Sequence, residues 1–466
     1  MSQKSENKAT NLFDPVASKA ERYAKGVAIR ENTPRSIHRE WNIPENRKDP
    51  VEILIETNIG RVESLLPIRY SRMMESPFSF FRGAAAIMAA DLVQTLNTGI
   101  HLQLCGDCHL MNFGGFATPE RKLVFDINDF DETFPGPWEW DLKRLAASFA
   151  IAGRWRKFSD KNCKEFAWHA ADSYKRNMFE YSKLSALQIW YADIDLAELI
   201  ERGDDEEIKK FQQKRVKKAA EYTAHEKEFA KMTYQDGNRA KIKDAHPLIF
   251  HPNGEEGKRI VSEIETAHKR YIESLPHDKQ VLLSRYTLHD VAMKVVGVGS
   301  VGTVCGISLL MSATGEPIFL QFKEARQSIL EANLKIENKY KHQGERIVMG
   351  QKLMQSASDI FLGWTHDDQN KFFYIRQLRD AKVKPVLEIM KDKNMNDYAK
   401  ACGWALARAH ARTGDPSLLS GYIGNSNEFA NAIANFSILY ADQNETDYTK
   451  MLEAIKEGRL PISTEI

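Results

Sequence analysis

Between Leu104 and Asp131 the sequence reads LCGDCHLMNFGGFATPERKLVFDINDFD. Asp107 stands five residues before the amide Asn112. A short apolar strand, Leu123–Phe125, then runs into three more carboxylates, Asp126, Asp129 and Asp131. These residue types suit phosphoryl transfer. One acid orients a hydroxyl and takes its proton, while an amide and a second acid hold Mg²⁺ on a triphosphate. Magnesium accepts hard oxygen ligands and retains several waters, so few protein ligands suffice. Asp107 is the expected base, and Asn112 and Asp129 are the expected metal ligands. Asp126 and Asp131 are second choices for the metal, because three acids at this spacing leave the register open. A surface turn with solvated acids is the simpler alternative for the stretch alone.

A second group of residues lies far along the chain. Gly297-Val298-Gly299-Ser300-Val301-Gly302-Thr303-Val304 has the glycine spacing of a turn whose backbone approaches phosphates. Gly297, Gly299, Ser300 and Gly302 are its expected nucleotide contacts. β-type sequence follows over Thr303–Met311, whereas a Rossmann glycine motif would open a helix. Ile318–Lys323 alternates apolar residues and ends on a lysine. It resembles the third strand of protein kinases, and that resemblance implies that Lys323 neutralises phosphates. Glu345, 22 residues later, is the expected ion partner of Lys323, with Glu331 and Glu337 as rivals.

These residues need elements to position them. Helices are predicted near Pro15–Arg30 and over Val51–Leu65, Gly83–Leu96, Trp138–Arg154, Asp160–Lys183, Ala186–Arg202, Glu206–Met232 and Glu255–Glu273. Gly83–Leu96 leads straight into a strand at His101–Leu104. Pro135-Gly136-Pro137 reads as a rigid turn. Strands are predicted over Ala292–Val296, Asp359–Trp364 and Phe372–Gln377, with a helix over Gln343–Ala357 before the last two. Leu378-Arg379-Asp380 reads as a hinge. Helices over Asn396–Arg412, Asn427–Tyr440 and Glu445–Gly458 close the chain. PIRYSRMMESPFSFFRG mixes Arg69, Arg72 and Arg82 with Phe78, Phe80 and Phe81. The preferred reading is an aromatic anchor beneath a basic surface; the other is arginines facing phosphates.

The glycine stretch fits the protein-kinase loop G-x-G-x-x-G-x-V, and Asp107 to Asn112 fits the spacing of H-R-D-x-x-x-x-N. GDCHLMN resembles the G-D-x-H-x-x-N loop of aminoglycoside-phosphotransferase-type kinases. Asp141-Leu142, 12 residues past Asp129, resembles the structural Asp that follows their metal ligand. LARAHA within Asn396–Arg412 resembles the helix before their catalytic loop, yet no catalytic loop follows it here. The parts therefore stand in exchanged order, which circular permutation would explain. The chain also resembles an uncharacterised bacterial family, a domain of unknown function. SPFSFFRGAA, CGDCHLMNFG, FDINDFDET, PGPWEWDLKRLAAS, GQKLMQSASDIFLGW and YIRQLRDAK carry that likeness, over about residues 35–450. It implies a kinase-like fold and no substrate.

Composition narrows the class. The formal net charge of +1 argues neither for nucleic acid nor for a globally acidic ligand. No apolar run reaches the roughly 18 residues of a membrane span. The polar start, MSQKSENKATNLFDP, lacks a signal-peptide core. Five scattered cysteines fit a reducing cytoplasm. Cys105 and Cys108 beside His109 offer a zinc module as one alternative.

The expectation is an α+β, two-lobed, protein-kinase-like fold in circularly permuted order. Residues 1–50 would be a flexible basic arm and 51–290 a helical catalytic lobe. Residues 291–380 would be the β-rich nucleotide lobe, and 381–466 would return to the catalytic lobe. The expected function is ATP- and Mg²⁺-dependent phosphotransfer to a small-molecule hydroxyl, without nucleic-acid or membrane partners. A nucleotide-binding pseudokinase scaffold and an AMP-transferring enzyme are the alternatives.

Overall fold

The computed structural model describes residues 17–203, 205–220, 229–252, 254–295, 297, 299, 301–378 and 382–463. The architecture is mixed α+β with small antiparallel sheets. In the first half, β1 (His101–Leu104) pairs with β4 (Phe134–Pro137), and β2 (Phe113–Ala117) pairs with β3 (Leu123–Ile127). A hairpin follows, β5 (Thr233–Asp236) with β6 (Arg239–Ile242). The largest sheet holds β7 (Ile249–Phe250), β8 (Tyr286–Lys294), β9 (Cys305–Ser312), β10 (Pro317–Glu324), β11 (Gly363–His366) and β12 (Phe372–Gln377). Its spatial order is β11-β12-β10-β9-β8-β7.

Strand alternation aims Lys323. Side chains on a strand alternate between faces. Ile318, Leu320 and Phe322 of β10 enter one apolar cluster with Phe373 and Ile375. Phe319 enters another with Ile307, Leu309 and Leu378. Gln321 and Lys323 share the Phe319 face, and both line the main cleft. Lys323 stands opposite Tyr374 on one side and Cys305 on the other.

The principal core lies under the Asp107 loop. Helices Glu139–Trp155, Asp160–Lys183, Asp392–Thr413 and Glu428–Lys456 pack around it. Small residues let them approach closely: a Cβ at Gly403 would lie 2.2 Å from the carbonyl oxygen of Ala170. Helix Gln343–Met354 packs on β11 and β12 and also touches β1, tying the large sheet to the first half. Among the described residues, no helix is long and apolar enough to cross a membrane.

The helix expected near Pro15–Arg30 is present as Lys19–Asn32, opened by a Ser18–Glu21 capping box, and it packs on Pro416–Ile423. The residues before 17 lie outside the description. Several expectations require correction. Pro135-Gly136-Pro137 belongs to β4, in register with Gln103, Leu102 and His101 of β1. Ala186–Arg202 is two helices, because Asp195 caps Ala197 and Glu198 and restarts the chain. The two closing helices are one, Glu428–Lys456. Its polar middle is buried: Gln443 meets Trp41, Asn444 meets the Pro77 carbonyl, and Asp447 meets Arg47. The lobe boundary expected at 291 falls inside β8. Arg379 and Asp380 of the expected hinge lie outside the described residues.

Candidate active site

The buried helix Glu139–Trp155 fixes the Asp107 loop from below. Asp141 accepts N–H bonds from Cys105 at 2.8 Å and Gly106 at 3.0 Å. Ser148 Oγ accepts the Leu110 N–H at 2.9 Å. Gly106 has φ +88°, and a Cβ there would sit 2.2 Å from the carbonyl oxygen of Glu132, so glycine is required. Asn112 Nδ2 donates to the Asp107 carbonyl at 2.8 Å and closes the loop on itself. These bonds place the Asp107 side chain in the cleft.

Arg144, one helical turn beyond Asp141, holds Asp107 Oδ1 at 2.6 Å. Burial raises the Asp107 pKa, and Arg144 and Arg82 only partly offset it. His109 Nε2 lies 3.8 Å from Asp107 Oδ2, beyond hydrogen-bond length. Burial, with Arg82 and Arg144 nearby, keeps the imidazole well below its usual range and therefore neutral.

The three acids after β3 have three different environments. Asp126 is fully buried, and both its oxygens accept from Arg408 at 2.8 Å. Its Oδ2 also accepts from Ser356 N and Oγ. It is outside the cleft, which removes it as a metal ligand for this site. Asp131 pairs with Lys323 and accepts the Tyr374 hydroxyl at 2.6 Å. Burial opposes its charge, yet Lys323 and Tyr374 hold its pKa down at about 2. Asp129 Oδ1 accepts the Asp131 N–H at 3.2 Å. Burial and then the neighbouring Asp131 push its pKa up. A carboxylate so placed gains from a cation, and together with Asn112 it offers the hard oxygen donors that magnesium takes.

Asp107, Asn112, Asp129, Asp131, Gly297, Gly299 and Lys323 all line one cleft of about 950 Å³. The early loop and the distant glycine turn with its lysine are thus brought together. Ser300 lies outside the described residues. Gly302, at φ +90°, is not in the lining; its carbonyl accepts the Val62 N–H at 2.7 Å. Arg61 donates to the carbonyls of Thr57, Gly299 and Val301, so an N-terminal segment grips the turn. Glu345 is half-buried on Gln343–Met354 and does not line the cleft; Asp131 occupies the partner position expected of it. The next residue, Arg346, is buried and donates to the carbonyls of Asp131 and Arg326 at 2.9 and 2.8 Å.

The expected zinc set is not assembled as Cys105, Cys108 and His109. The ligand atoms lying within 4.8 Å of one another belong to Cys105, Cys108 and Asp141. Burial pushes the Cys108 thiol up to about 11 and raises Cys105 well above its usual range. Asp141 already serves the loop backbone.

Sequence reasoning missed the guanidinium groups around the acids. Arg82, Arg144 and Arg376 all approach the acid cluster. Phe78, Phe80 and Phe81 are buried as an anchor, but Arg69, Arg72 and Arg82 beside them face the cleft. The available signal was the arginine–aromatic interleaving itself, for which the surface reading was preferred.

The chain belongs to the bacterial family described as "Uncharacterized protein conserved in bacteria (DUF2252)", whose match spans residues 61–454. No curated protein and no solved structure matches it.

Proposed function

We propose that this family member is an ATP- and Mg²⁺-dependent phosphotransferase with a circularly permuted, protein-kinase-like build, acting on a small-molecule hydroxyl. One observation carries the reading: Lys323 and the glycine turn share a cleft with Asp107, Asn112 and Asp129. The element order from 286 to 377 supports it. Strand, glycine turn, strand, strand with Lys323 next to its end, helix and two strands is the series expected of a kinase nucleotide lobe; here a short extra helix, Ile329–Leu334, precedes Gln343–Met354. The pairing of Lys323 with Asp131 rather than a helix glutamate departs from that pattern.

Permutation also has a geometric support. The end of Asp392–Thr413 lies beside β1: Thr413 Oγ1 approaches the Gln103 carbonyl at 3.5 Å. A Cβ on Gly414 would come 2.8 Å from the Leu102 side chain. On this reading that helix would stand where a kinase helix precedes the catalytic loop, while Ala85–Leu92 would supply the covalent entry.

In this mechanism Arg144 fixes Asp107 Oδ1, leaving Oδ2 to orient the acceptor hydroxyl and take its proton. Burial raises the basicity of that carboxylate while Arg144 keeps it in place. Lys323 neutralises phosphate charge, and Gly297 and Gly299 let the backbone come close. Asn112 and Asp129 would hold Mg²⁺, which supplies further neutralisation of the triphosphate. Catalysis is positioning and charge stabilisation.

The test is transfer from γ-labelled ATP to a pool of small hydroxyl metabolites. Asp107→Ala should lower transfer by roughly 10²–10⁴-fold, the range for a lost general base, while leaving nucleotide binding largely intact. Lys323→Ala should weaken both. Transfer by Asp107→Ala at the parent rate would remove the role given to Asp107.

A further inference from the structure

The cleft is far more basic than a nucleotide requires. Among its described lining residues eleven are lysine or arginine, and four are aspartate or glutamate. A triphosphate with one divalent cation brings only about two net negative charges. The lining therefore stays net basic with a magnesium triphosphate in place.

Arg82 lies close enough to Asp107 to act on its charge, and Arg61 and Arg69 line the same cleft. Among the described residues none of the three lies within ion-pair distance of a carboxylate. Arg61 and Arg69 spend their N–H groups on carbonyls and on Thr57, Asn58 and Tyr70. Arg69 is 1% exposed, and its Nε has no partner. Arg82 Nε and His109 Nδ1 are likewise buried without partners. Burial, then repulsion from neighbouring arginines, depresses Arg61 to about 9. Arg82 has Asp107 and Glu75 in range, and Arg61 has Glu132, but desolvation outweighs these charges, so a bound anion would favour the cluster.

We infer that the acceptor itself carries a phosphate, bound by Arg82 within the field of Arg61, Arg69 and Arg72, next to Asp107. This rests on the phosphotransferase reading. The cleft volume, near the top of the range of about 300–1,000 Å³ for ligand pockets, leaves room for a compact second ligand. Guanidinium suits phosphate because its planar N–H fork matches paired oxygens. A neutral polyol would bring these arginines no added negative charge.

The experiment uses the full chain saturated with the magnesium complex of a non-hydrolysable ATP analogue. Inorganic phosphate and glycerol 3-phosphate are titrated by calorimetry, with glycerol as the neutral control. Both anions should bind saturably and glycerol should not. Arg82→Gln should weaken the anions by roughly tenfold or more, as for a lost charged hydrogen bond, and the analogue by less than about threefold. Arg72→Gln, at a half-buried position, serves as a second variant whose melting curve reports folding. Lys323→Ala should show the reverse pattern. Anion binding that is absent, or unmoved by both arginine changes, overturns the inference while leaving the nucleotide site standing. Failure of the analogue to bind sinks the phosphotransferase reading, and the second anion with it.

Discussion

At the scale of single residues, Asp126 and Asp129 are separated by two positions and by entirely different work. Asp126 forms a fully buried pair with Arg408, whose Nε and Nη1 already lack partners. Removing its charge strands the guanidinium. Asp126→Asn is therefore expected to lower unfolding stability by about 3–5 kcal/mol, measured by chemical denaturation. Asp129→Asn should leave the denaturation midpoint nearly unchanged, because its carboxylate accepts only a local N–H and is repelled by Asp131. It should instead weaken magnesium-dependent nucleotide binding. A stability loss for Asp129→Asn equal to that for Asp126→Asn would reverse these assignments. From the sequence alone the two are indistinguishable: both sit in FDINDFD, and the partner that decides between them, Arg408, is 282 residues away.

Elements were legible where local pattern and burial agreed. β1, β12 and the helix Asp160–Lys183 match their expected bounds because apolar periodicity and turn residues coincide there. β4 was hidden by Pro135 and Pro137, since proline rarely marks a paired strand. The last helix was split because buried Gln443, Asn444 and Asp447 look like a solvated break. Two glycines show what sequence cannot reveal about an element. A Cβ on Gly421 would lie 2.0 Å from the Tyr23 carbonyl, and one on Gly26 lies as close to that of Leu418. The helices cross backbone to backbone, so Gly421→Ala should cost about 1–3 kcal/mol as overpacking. Thermal denaturation checks it; an unchanged midpoint would mean the crossing is not held. His251 makes a different link, with Nε2 3.0 Å from Asp290 on β8 and Nδ1 2.7 Å from Asp244. Its bond to Asp290, then that to Asp244, raises the imidazole pKa. The folded value thus exceeds the unfolded one. The stabilisation is complete below the unfolded pKa of about 6.5 and is lost as pH rises through the folded value. The melting-temperature gap between parent and His251→Gln should accordingly be wide at acid pH and close toward alkaline pH.

For the molecule as a whole, the question is how two distant parts of one chain come to act as one site. Lys323 to Asp131 is a bridge between the large sheet and the early acids, and Arg61 is a second, across the glycine turn. A Cβ on Gly297 would touch nothing within 4 Å, and one on Gly299 would meet the Arg82 carbonyl oxygen at 3.5 Å. Ligand binding that needs both parts should therefore tighten both together. At a hundred times its dissociation constant, the magnesium–ATP analogue should add about 2.7 kcal/mol to stability. Amide exchange should slow in the same titration at Val62, which donates to Gly302, and at Gly299 and Val301. Arg61→Ala removes the bonds to the Gly299 and Val301 carbonyls. It should uncouple the two: analogue affinity falls, and protection of the turn no longer follows that of residues 57–62. Protection confined to one part in the parent protein would mean that the ligand sits on a single body, and that the shared cleft is not where it binds.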